Sequence, residues 1–232
     1  MKKTIKIVAI IMLSFLVLNI NLLKVNAEEN NKVIVIDPGH GGIDGGAKSE
    51  SGVIEKDINL SISLKTKAAL ESKGYKVIMT RSEDVGLYTE GKKVREKKIE
   101  DLGNRVKIKK ENKCDAFISI HQNMFPQKNC KGAQVWSANN EPSQKLGKII
   151  QQKFKEEVDQ NNKREAKVAK KEYKILNDGY EGASVIVECG FLSNPEECEL
   201  LGKEDYQNKI ANTLVNAIDE YLSLIHISEP TR

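Results

Sequence analysis

Three absences in the sequence narrow the class of the protein. No internal repeat or linker-like stretch argues for a second domain. The four cysteines show no C-x-x-C spacing, so they neither form a zinc-finger pattern nor supply a metal site. The motif H-E-x-x-H is also missing, and any metal ligands must therefore come from separated segments. The composition, with 39% hydrophobic and 30% charged residues in a chain of 232, is that of one globular domain.

The redox state of the four cysteines stays open at this stage. An even count in an exported protein permits disulfides, and four cysteines allow three pairings. Cys114 and Cys189 adjoin strand-like runs, and we interpret them as small buried thiols rather than bridge partners. For Cys130 and Cys198 the sequence does not decide between a thiol and a disulfide.

The amino terminus has the pattern of an export signal. Lysines precede the apolar run 7–18, and the small-residue site Val-Asn-Ala at 25–27 precedes Glu28. We therefore predict a signal peptide at residues 1–27 and export across the cytoplasmic membrane. An uncleaved membrane anchor is the alternative, but polar residues interrupt the run short of the roughly 20 apolar residues that a span needs.

The charge balance argues against a nucleic-acid partner. The whole chain carries a net charge of +4, with 37 basic and 33 acidic residues. Residues 1–27 contain four lysines and no acids, so the remainder of the chain has equal numbers of basic and acidic residues. A neutral domain lacks the net basic surface on which nucleic-acid binding depends.

The last ten residues, 223–232, abandon the amphipathic pattern that precedes them. The string LIHISEPTR resembles translated sequencing-adapter sequence. We therefore predict that one folded domain spans residues 28–222, that the tail is not part of the fold, and that His226 belongs to no functional site.

Strand-like and helical patterns alternate along the chain, which predicts an α/β fold with a mostly parallel or mixed sheet. Residues 82–100 are long, charged and weakly periodic, and we expect a loop or an irregular helix at the rim, where loops of this length tend to be functional. The predicted strands are 33–37, 76–80, 116–121, 133–136, 173–176 and 185–188, and the predicted helices are 55–73, 101–112, 141–158 and 205–222.

Two histidines and two glutamates stand where predicted strands end or a helix begins. His40, His121 and Glu188 each close a run of strand-forming residues, and Glu55 opens the first helix. Open α/β sheets bind ligands at the carboxyl edge of their strands, where such residues meet. A catalytic zinc usually keeps three protein ligands and one open position, and two imidazoles with one carboxylate are an established set. We predict that His40, Glu55 and His121 bind Zn²⁺ and that Glu188 is the general base.

Each of these residues also has a structural explanation when taken alone. His40 could belong to a turn or to an anion-binding glycine loop, and Glu55 could favour the helix start through the dipole. His121 could form a hydrogen bond in a core, and Glu188 could belong to a buried ion pair. For the three proposed ligands, such explanations would have to apply independently three times, so the metal site is favoured. Asn123 is predicted to orient substrate, with an ordinary turn residue as the alternative.

A family resemblance is carried by four blocks in order: DPGHGGIDGGA at 37–47, EKDINLSISL at 55–64, ISIHQN at 118–123 and IVECGFLSNPEE at 186–197. They resemble the signature blocks of the zinc-dependent N-acetylmuramoyl-L-alanine amidases. The resemblance implies a twisted sheet of about six strands flanked by helices in a single domain. It also places the catalytic glutamate of the family at Glu188.

The resemblance further implies a substrate and a reaction. The amide that joins the lactyl group of N-acetylmuramic acid to the L-alanine of the stem peptide in peptidoglycan would be hydrolysed. GLYTEGKK at 86–93 and GAQVW at 132–136 resemble the germination-specific amidases of endospore formers. That branch implies action on spore cortex, in the cell wall or the space around the forespore, where amide cleavage prepares muramic-δ-lactam formation. We expect a monomer, and an accessory protein remains an open alternative.

Two other functions compete with this one. A zinc carboxypeptidase or deacetylase could use the same ligands, but the order of the blocks argues against it. A peptidoglycan-binding module without catalysis would have no use for four polar residues at strand ends, and all four are retained.

Overall fold

A six-stranded mixed sheet forms the centre of the structure, a computed structural model that describes residues 32–171 and 173–228. Its strands are β1 Val33–Pro38, β2 Lys76–Met79, β3 Ala116–Asn123, β4 Gln134–Ser137, β5 Lys167–Val168 and β6 Ala183–Phe191. Their order across the sheet is β2-β1-β3-β6-β4-β5. Strands β2, β1, β3 and β6 are parallel, β4 is antiparallel to β6, and β5 is parallel to β4. The predicted α/β class with a single mixed sheet is therefore confirmed.

Five helices flank the sheet: α1 Glu55–Ser72, α2 Val94–Glu111, α3 Glu141–Lys153, α4 Pro195–Leu201 and α5 Glu204–Ser228. A single π-helical turn, Phe154–Val158, continues α3. Helix α1 carries acidic residues in its first turn, where they complement the helix dipole. It ends where Gly74 takes a φ of 88° and the next amide bonds back to the Leu70 carbonyl.

One face of the sheet packs against α1, α3 and α5 through apolar side chains. The alternation of β3 and β6 places Ile118 and Ile120, with Val185 and Val187, on this face, and all four are fully buried. Leu146 of α3 and Leu214 of α5 cover them. Burial of apolar surface on this scale is the main favourable contribution to folding. This face is the core that holds the strand ends in place.

The opposite face has a smaller apolar cluster and is covered by α2 and by residues 169–180. The three residues of α2 that are buried are all cationic: Lys97, Arg105 and Lys109. Lys109 donates to the Ile175 carbonyl at 2.7 Å and lies over the rings of Phe117 and Tyr180. Helix α2 is thus attached largely by charged groups, while Val106 and Ile108 add apolar contacts with the cluster.

The rim of this second face is a loop that is bound to α2. The main-chain amide of Leu87 donates to Asp101 at 2.7 Å, and Asn104 donates to the Leu87 carbonyl at 2.7 Å. The helix begins at Val94, seven residues before the predicted start, so only the first part of the predicted rim stretch is a loop. The Glu96 side chain caps the new start by accepting from the Lys93 amide at 3.0 Å.

The predicted strand at 173–176 is wrong, and the edge strand is β5 instead. Turn hydrogen bonds from Tyr173 to the Lys170 carbonyl and from Leu176 to the Tyr173 carbonyl close this segment locally. Ile175 and Leu176 are buried in the smaller apolar cluster without pairing to the sheet. Their apolar character reflects this burial and not a strand.

The structure describes the segment after the predicted domain in part and the segment before it not at all. Residues 1–27, predicted as a signal peptide, lie outside the described residues. Helix α5 continues past the predicted boundary at 222 to Ser228, and Ile225 packs against the main core. The division of the chain into three segments stays a prediction. Among the described helices, none has both the length and the apolar character that a bilayer span requires.

The four cysteines are free thiols in the structure. Cys114 and Cys189 are buried, as expected, and Cys198 is buried beside the Ser51 hydroxyl. Burial in apolar surroundings raises the pKa of the Cys114 thiol to about 11, so this thiol stays protonated at neutral pH.

Candidate metal site and active-site cleft

Three of the predicted site residues meet at the carboxyl edge of the parallel strands. His40 follows β1, His121 lies near the end of β3, and Glu55 is the first residue of α1. His40 Nε2 lies 3.1 Å and His121 Nδ1 lies 3.0 Å from the same oxygen, Glu55 Oε1. One ligand atom from each residue lies within 4.8 Å of the other two. Segments far apart in the sequence thus present two imidazoles and a carboxylate to one point.

The Glu55 carboxylate is fixed by several donors. Its Oε1 accepts from the Gln122 amide at 3.1 Å and from Asn59 Nδ2 at 3.2 Å, and its Oε2 accepts from the Ala47 amide at 2.8 Å. Burial alone would raise the pKa of Glu55. The hydrogen bonds and positive charges of the two histidines outweigh it and hold that pKa well below its usual range. The group is therefore an oriented anion.

His40 has an unusual backbone conformation and a second acidic neighbour. Its φ is 61°, in the left-handed region that few residues other than glycine occupy. Its Nδ1 lies 3.2 Å from Asp44 Oδ2, while Nε2 faces Glu55. Burial lowers the pKa of His40, but the hydrogen bonds to Asp44 and Glu55 outweigh it and raise the pKa to about 9. The imidazole is held between two carboxylates.

Two glycines leave the room that the ligands occupy. A Cβ on Gly39 would clash with the ring of His121. A Cβ on Gly46, whose φ is 68°, would clash with Glu55 Oε2 and with the ring of His40. Any side chain at either position would displace one of these three side chains, which explains why glycine occupies both positions.

The donor set fits a divalent metal ion such as zinc. A tetrahedral ion with bond lengths of about 2.0–2.1 Å separates its donors by roughly 3.3 Å. The observed separations of 3.1 Å and 3.0 Å between the imidazole nitrogens and Glu55 Oε1 are close to that value. Neutral imidazole and carboxylate are also ligands that zinc prefers. These three residues therefore supply a donor set that can hold such an ion.

Glu188 stands beside this cluster on the neighbouring strand. It is paired in register with His121, so the two side chains point to the same face of the sheet. Its Oε2 is buried and has no hydrogen-bond partner among the described residues. Burial, reinforced by the negative charge of Glu55, raises the pKa of Glu188 to about 7, although His121 and His40 oppose the shift. A carboxyl group with this pKa can both accept and return a proton near neutral pH.

His40, His121 and Glu188 line a cleft of about 350 Å³ on the face of the sheet that α2 covers. His121, Ile186 and Glu188 form part of its floor. Helix α2 provides one wall with Lys98 and Leu102, and the segment 173–175 provides the other. The size is within the range of small-molecule and peptide sites.

A buried ion pair lies beneath the histidine loop. Arg105 Nη1 donates to Asp37 Oδ1 at 2.6 Å, and both side chains are almost completely buried. Asp37 also accepts from Thr80 at 2.6 Å and from Ser119 at 2.5 Å. Burial would raise the pKa of Asp37, but the Arg105 charge and these donors hold it below its usual range. Asp37 is therefore a carboxylate that fixes Arg105 against the strand ends.

The remaining predicted site residue, Asn123, is not brought to the cluster. It is half-buried at the end of β3, where its carbonyl accepts from the Leu192 amide at 2.8 Å, and it is not among the residues that line the cleft. A substrate role for Asn123 stays a prediction.

The sequence reasoning missed Asp44, Asn59 and Arg105, which support the ligands. Asn59 lies four residues after Glu55 on α1, and that spacing places both on one helix face. The four-residue separation of His40 and Asp44 is a second local signal. The contacts of Arg105 with Asp37 and His40, by contrast, join segments more than 60 residues apart.

Comparison with known proteins agrees with the geometry. Residues 34–220 match the family model described as N-acetylmuramoyl-L-alanine amidase. The chain is 38% identical over 196 residues to the germination-specific N-acetylmuramoyl-L-alanine amidase of Bacillus subtilis, covering 84% of this chain and 81% of that protein.

Two solved structures have the same fold and extend the comparison. The CwlD amidase from Clostridioides difficile, solved in complex with the GerS lipoprotein, has a TM-score of 0.81 and 44% identity, covering 84% of this chain and all of that one. The amidase AmiC2 of Nostoc punctiforme has a TM-score of 0.71 and 27% identity, covering 83% and 97% of the two chains. The resemblance read from the sequence blocks is confirmed. With its matching family model, its relatives and a site of two histidines and two glutamates at the strand ends, the chain belongs to the N-acetylmuramoyl-L-alanine amidase family of hydrolases.

Proposed function

We propose that this amidase is zinc-dependent, with His40, Glu55 and His121 as the metal ligands and Glu188 as the general base. The observation that carries the proposal is the convergence of two imidazole nitrogens on Glu55 Oε1, next to a buried Glu188 oxygen without a described partner. Zinc, when bound by such a set, lowers the pKa of a water molecule and polarises a carbonyl.

The protein's own groups then carry the proton transfers. Glu188, on the floor of the cleft, takes the proton from the attacking water and returns it to the leaving amine as the amide bond breaks. Burial raises the pKa of this carboxyl group above the usual range of a glutamate, which makes it a stronger base for the first step. Glu55 takes no proton in this scheme, since its two oxygens are occupied by donors.

The substrate that we propose is peptidoglycan, at the amide between the lactyl group of N-acetylmuramic acid and L-alanine. Spore cortex is the specific source, because the Bacillus subtilis relative is named as germination-specific. Cleavage there would prepare muramic-δ-lactam formation. We also propose an exported monomer that acts in the cell wall or around the forespore. The GerS lipoprotein bound to the Clostridioides difficile enzyme supports an accessory protein for this chain.

The test is a Glu188→Gln variant assayed on purified cortex peptidoglycan. The amide is nearly isosteric with the carboxylate, so we expect the variant to keep its fold and its zinc and to lose about 10²- to 10⁴-fold in rate. Mass spectrometry of the wild-type digest should show intact stem peptides with a new L-alanine amino terminus.

Different products would support different functions. Release of single D-alanine residues would indicate a carboxypeptidase, and release of acetate would indicate a deacetylase. Binding without any release would indicate a non-catalytic module. Wild-type activity in Glu188→Gln would remove this residue from the mechanism.

A further inference from the structure

Helix α2 reaches His40 from two sides. Arg105 Nη2 donates to the His40 carbonyl at 2.7 Å, and Nη1 donates to the Pro38 carbonyl at 2.8 Å. On the imidazole side, Lys98 Nζ lies 3.1 Å from Asp44 Oδ1, and the other oxygen of Asp44 faces His40 Nδ1 at 3.2 Å. Side chains of α2 therefore contact the backbone of His40 directly and its imidazole through Asp44.

The backbone of His40 depends on such contacts. A φ of 61° is sparsely populated by residues other than glycine, and it persists only where the surroundings hold it. Hydrogen bonds to neighbouring main-chain carbonyls supply part of this constraint. Arg105 donates to the carbonyls on both sides of Gly39, and Arg81 donates to the carbonyls of Pro38 and Gly39.

Arg105 has no donor left for a substrate. A guanidinium group carries five N–H donors. Nε bonds to Asp101 Oδ2 at 2.6 Å, Nη1 to Asp37 and Pro38, and Nη2 to His40 and Asp101 Oδ1. All five are used within the protein, although the residue lines the cleft. Its role is therefore to position other groups.

Asp44 determines which ring nitrogen of His40 is free. If Asp44 accepts the proton on Nδ1, the lone pair lies on Nε2, which faces Glu55 Oε1 at 3.1 Å. That is the side on which a metal shared with Glu55 would bind. Acceptors of this kind orient metal-ligating histidines, and their loss typically weakens metal affinity by about 10- to 100-fold.

We propose that Asp44 and Arg105 are positioning residues for His40, and that helix α2 sets the metal affinity of the site through them. The inference rests on the zinc site of the proposed function. It adds that α2, which contributes no metal ligand, controls the orientation of the ligand His40.

The protein contains a matched control for Asp44. Asp84 holds the same glycine loop, accepting from the Gly42 amide at 2.9 Å and pairing with Lys56 at 2.6 Å. The described contacts of Asp84 include none with His40. A variant at Asp84 therefore removes a carboxylate and a loop contact but leaves the imidazole with its partner.

The experiment measures the zinc dissociation constant of the full chain by competition with a chromophoric chelator. Asp44→Ala is expected to weaken zinc binding by about 10- to 100-fold. Asp44→Asn should lose less, because the amide oxygen still accepts a hydrogen bond. Asp84→Ala should remain close to wild type. Arg105→Lys should also bind zinc more weakly, and circular dichroism is used to confirm that it folds.

Two results would overturn the proposal. The first is a wild-type dissociation constant in Asp44→Ala. The second is an equal loss in Asp84→Ala, which would mean that loop stiffness and not the orientation of the imidazole matters. A wild-type protein that binds no zinc would instead refute the metal site of the proposed function, so the two failures are distinguishable.

Discussion

The two faces of the sheet differ in how their helices are attached. On one face, α1, α3 and α5 bury an apolar core in which Ile118, Val187 and Leu214 are fully excluded from solvent. On the other, α2 is attached by buried cations, and the cleft lies between it and residues 173–175. Apolar packing is non-directional, whereas hydrogen-bonded charges require fixed geometry. The first face provides stability, and the second places chemical groups.

The largest expected effect is the loss of zinc and activity when a proposed metal ligand, rather than a residue of the apolar core, is substituted. His121→Ala, on the polar face, should reduce the zinc content from about one ion per chain to almost none and abolish amide hydrolysis. Ile218→Val, a conservative change in the apolar core, should keep both. Elemental analysis of the purified proteins measures the metal. Undiminished zinc in both His40→Ala and His121→Ala would refute the ligand assignment.

The next effect compares how each face is stabilised. Arg105→Met leaves the carboxylate of Asp37 buried without its cation, and we expect the free energy of unfolding to fall by about 3–5 kcal/mol. Leu214→Ala in the apolar core should cost about 2–5 kcal/mol through lost burial and a cavity. Urea denaturation measures both.

The two losses should differ in how they can be recovered. Adding Asp37→Asn to Arg105→Met should restore part of the stability, because the unpaired charge is removed. The same second change should restore nothing in Leu214→Ala. An equal change in the free energy of unfolding when Asp37→Asn is added to either variant would show that the two faces do not differ in how they are stabilised.

The smallest effects come from the same substitution on each face. The Ser63 hydroxyl on α1 is buried without a partner among the described residues, so Ser63→Ala should raise the free energy of unfolding by up to about 1 kcal/mol. The Ser119 hydroxyl donates to Asp37 at 2.5 Å, so Ser119→Ala should lower it by about 1–3 kcal/mol. Thermal unfolding of both variants shows whether each substitution raises or lowers the free energy of unfolding. A change of the same sign in both would contradict the comparison.

The apolar face was predictable from the sequence, and the polar face was predictable only in part. The main-core strands and the long helix α1 have clear apolar periodicity, and their positions agree with the prediction to within a few residues. Helix α2 has no such signal, because its buried residues are lysines and an arginine that look like a solvated surface. Its amino-terminal half was therefore expected to be a loop or irregular.

The four main site residues could be found because they follow local patterns, namely a strand end or a helix start. Their supports could not be found in the same way. Arg105 contacts the His40 carbonyl 65 residues away, and Lys98 contacts Asp44 54 residues away. The Asp44–His40 pair is only four residues apart, but it lies in an irregular loop without a periodic pattern. Pairing of this kind depends on the final fold, and a single sequence carries no trace of it. The edge strand β5 is two residues long and exposed, so neither burial nor length marks it.

The charged attachment of α2 has a consequence for motion. When an apolar helix leaves a core, its side chains lose their packing and meet water unfavourably. The cations of α2 would instead regain hydration, which offsets part of the lost pairing. Local opening should therefore begin at α2, and its amides should exchange with solvent hydrogen before those of α1 and α5. Because Arg105 and Lys98 hold the His40 loop, each such opening would also loosen the grip on the histidine. Helix α2 and the proposed metal site would then fluctuate as one unit.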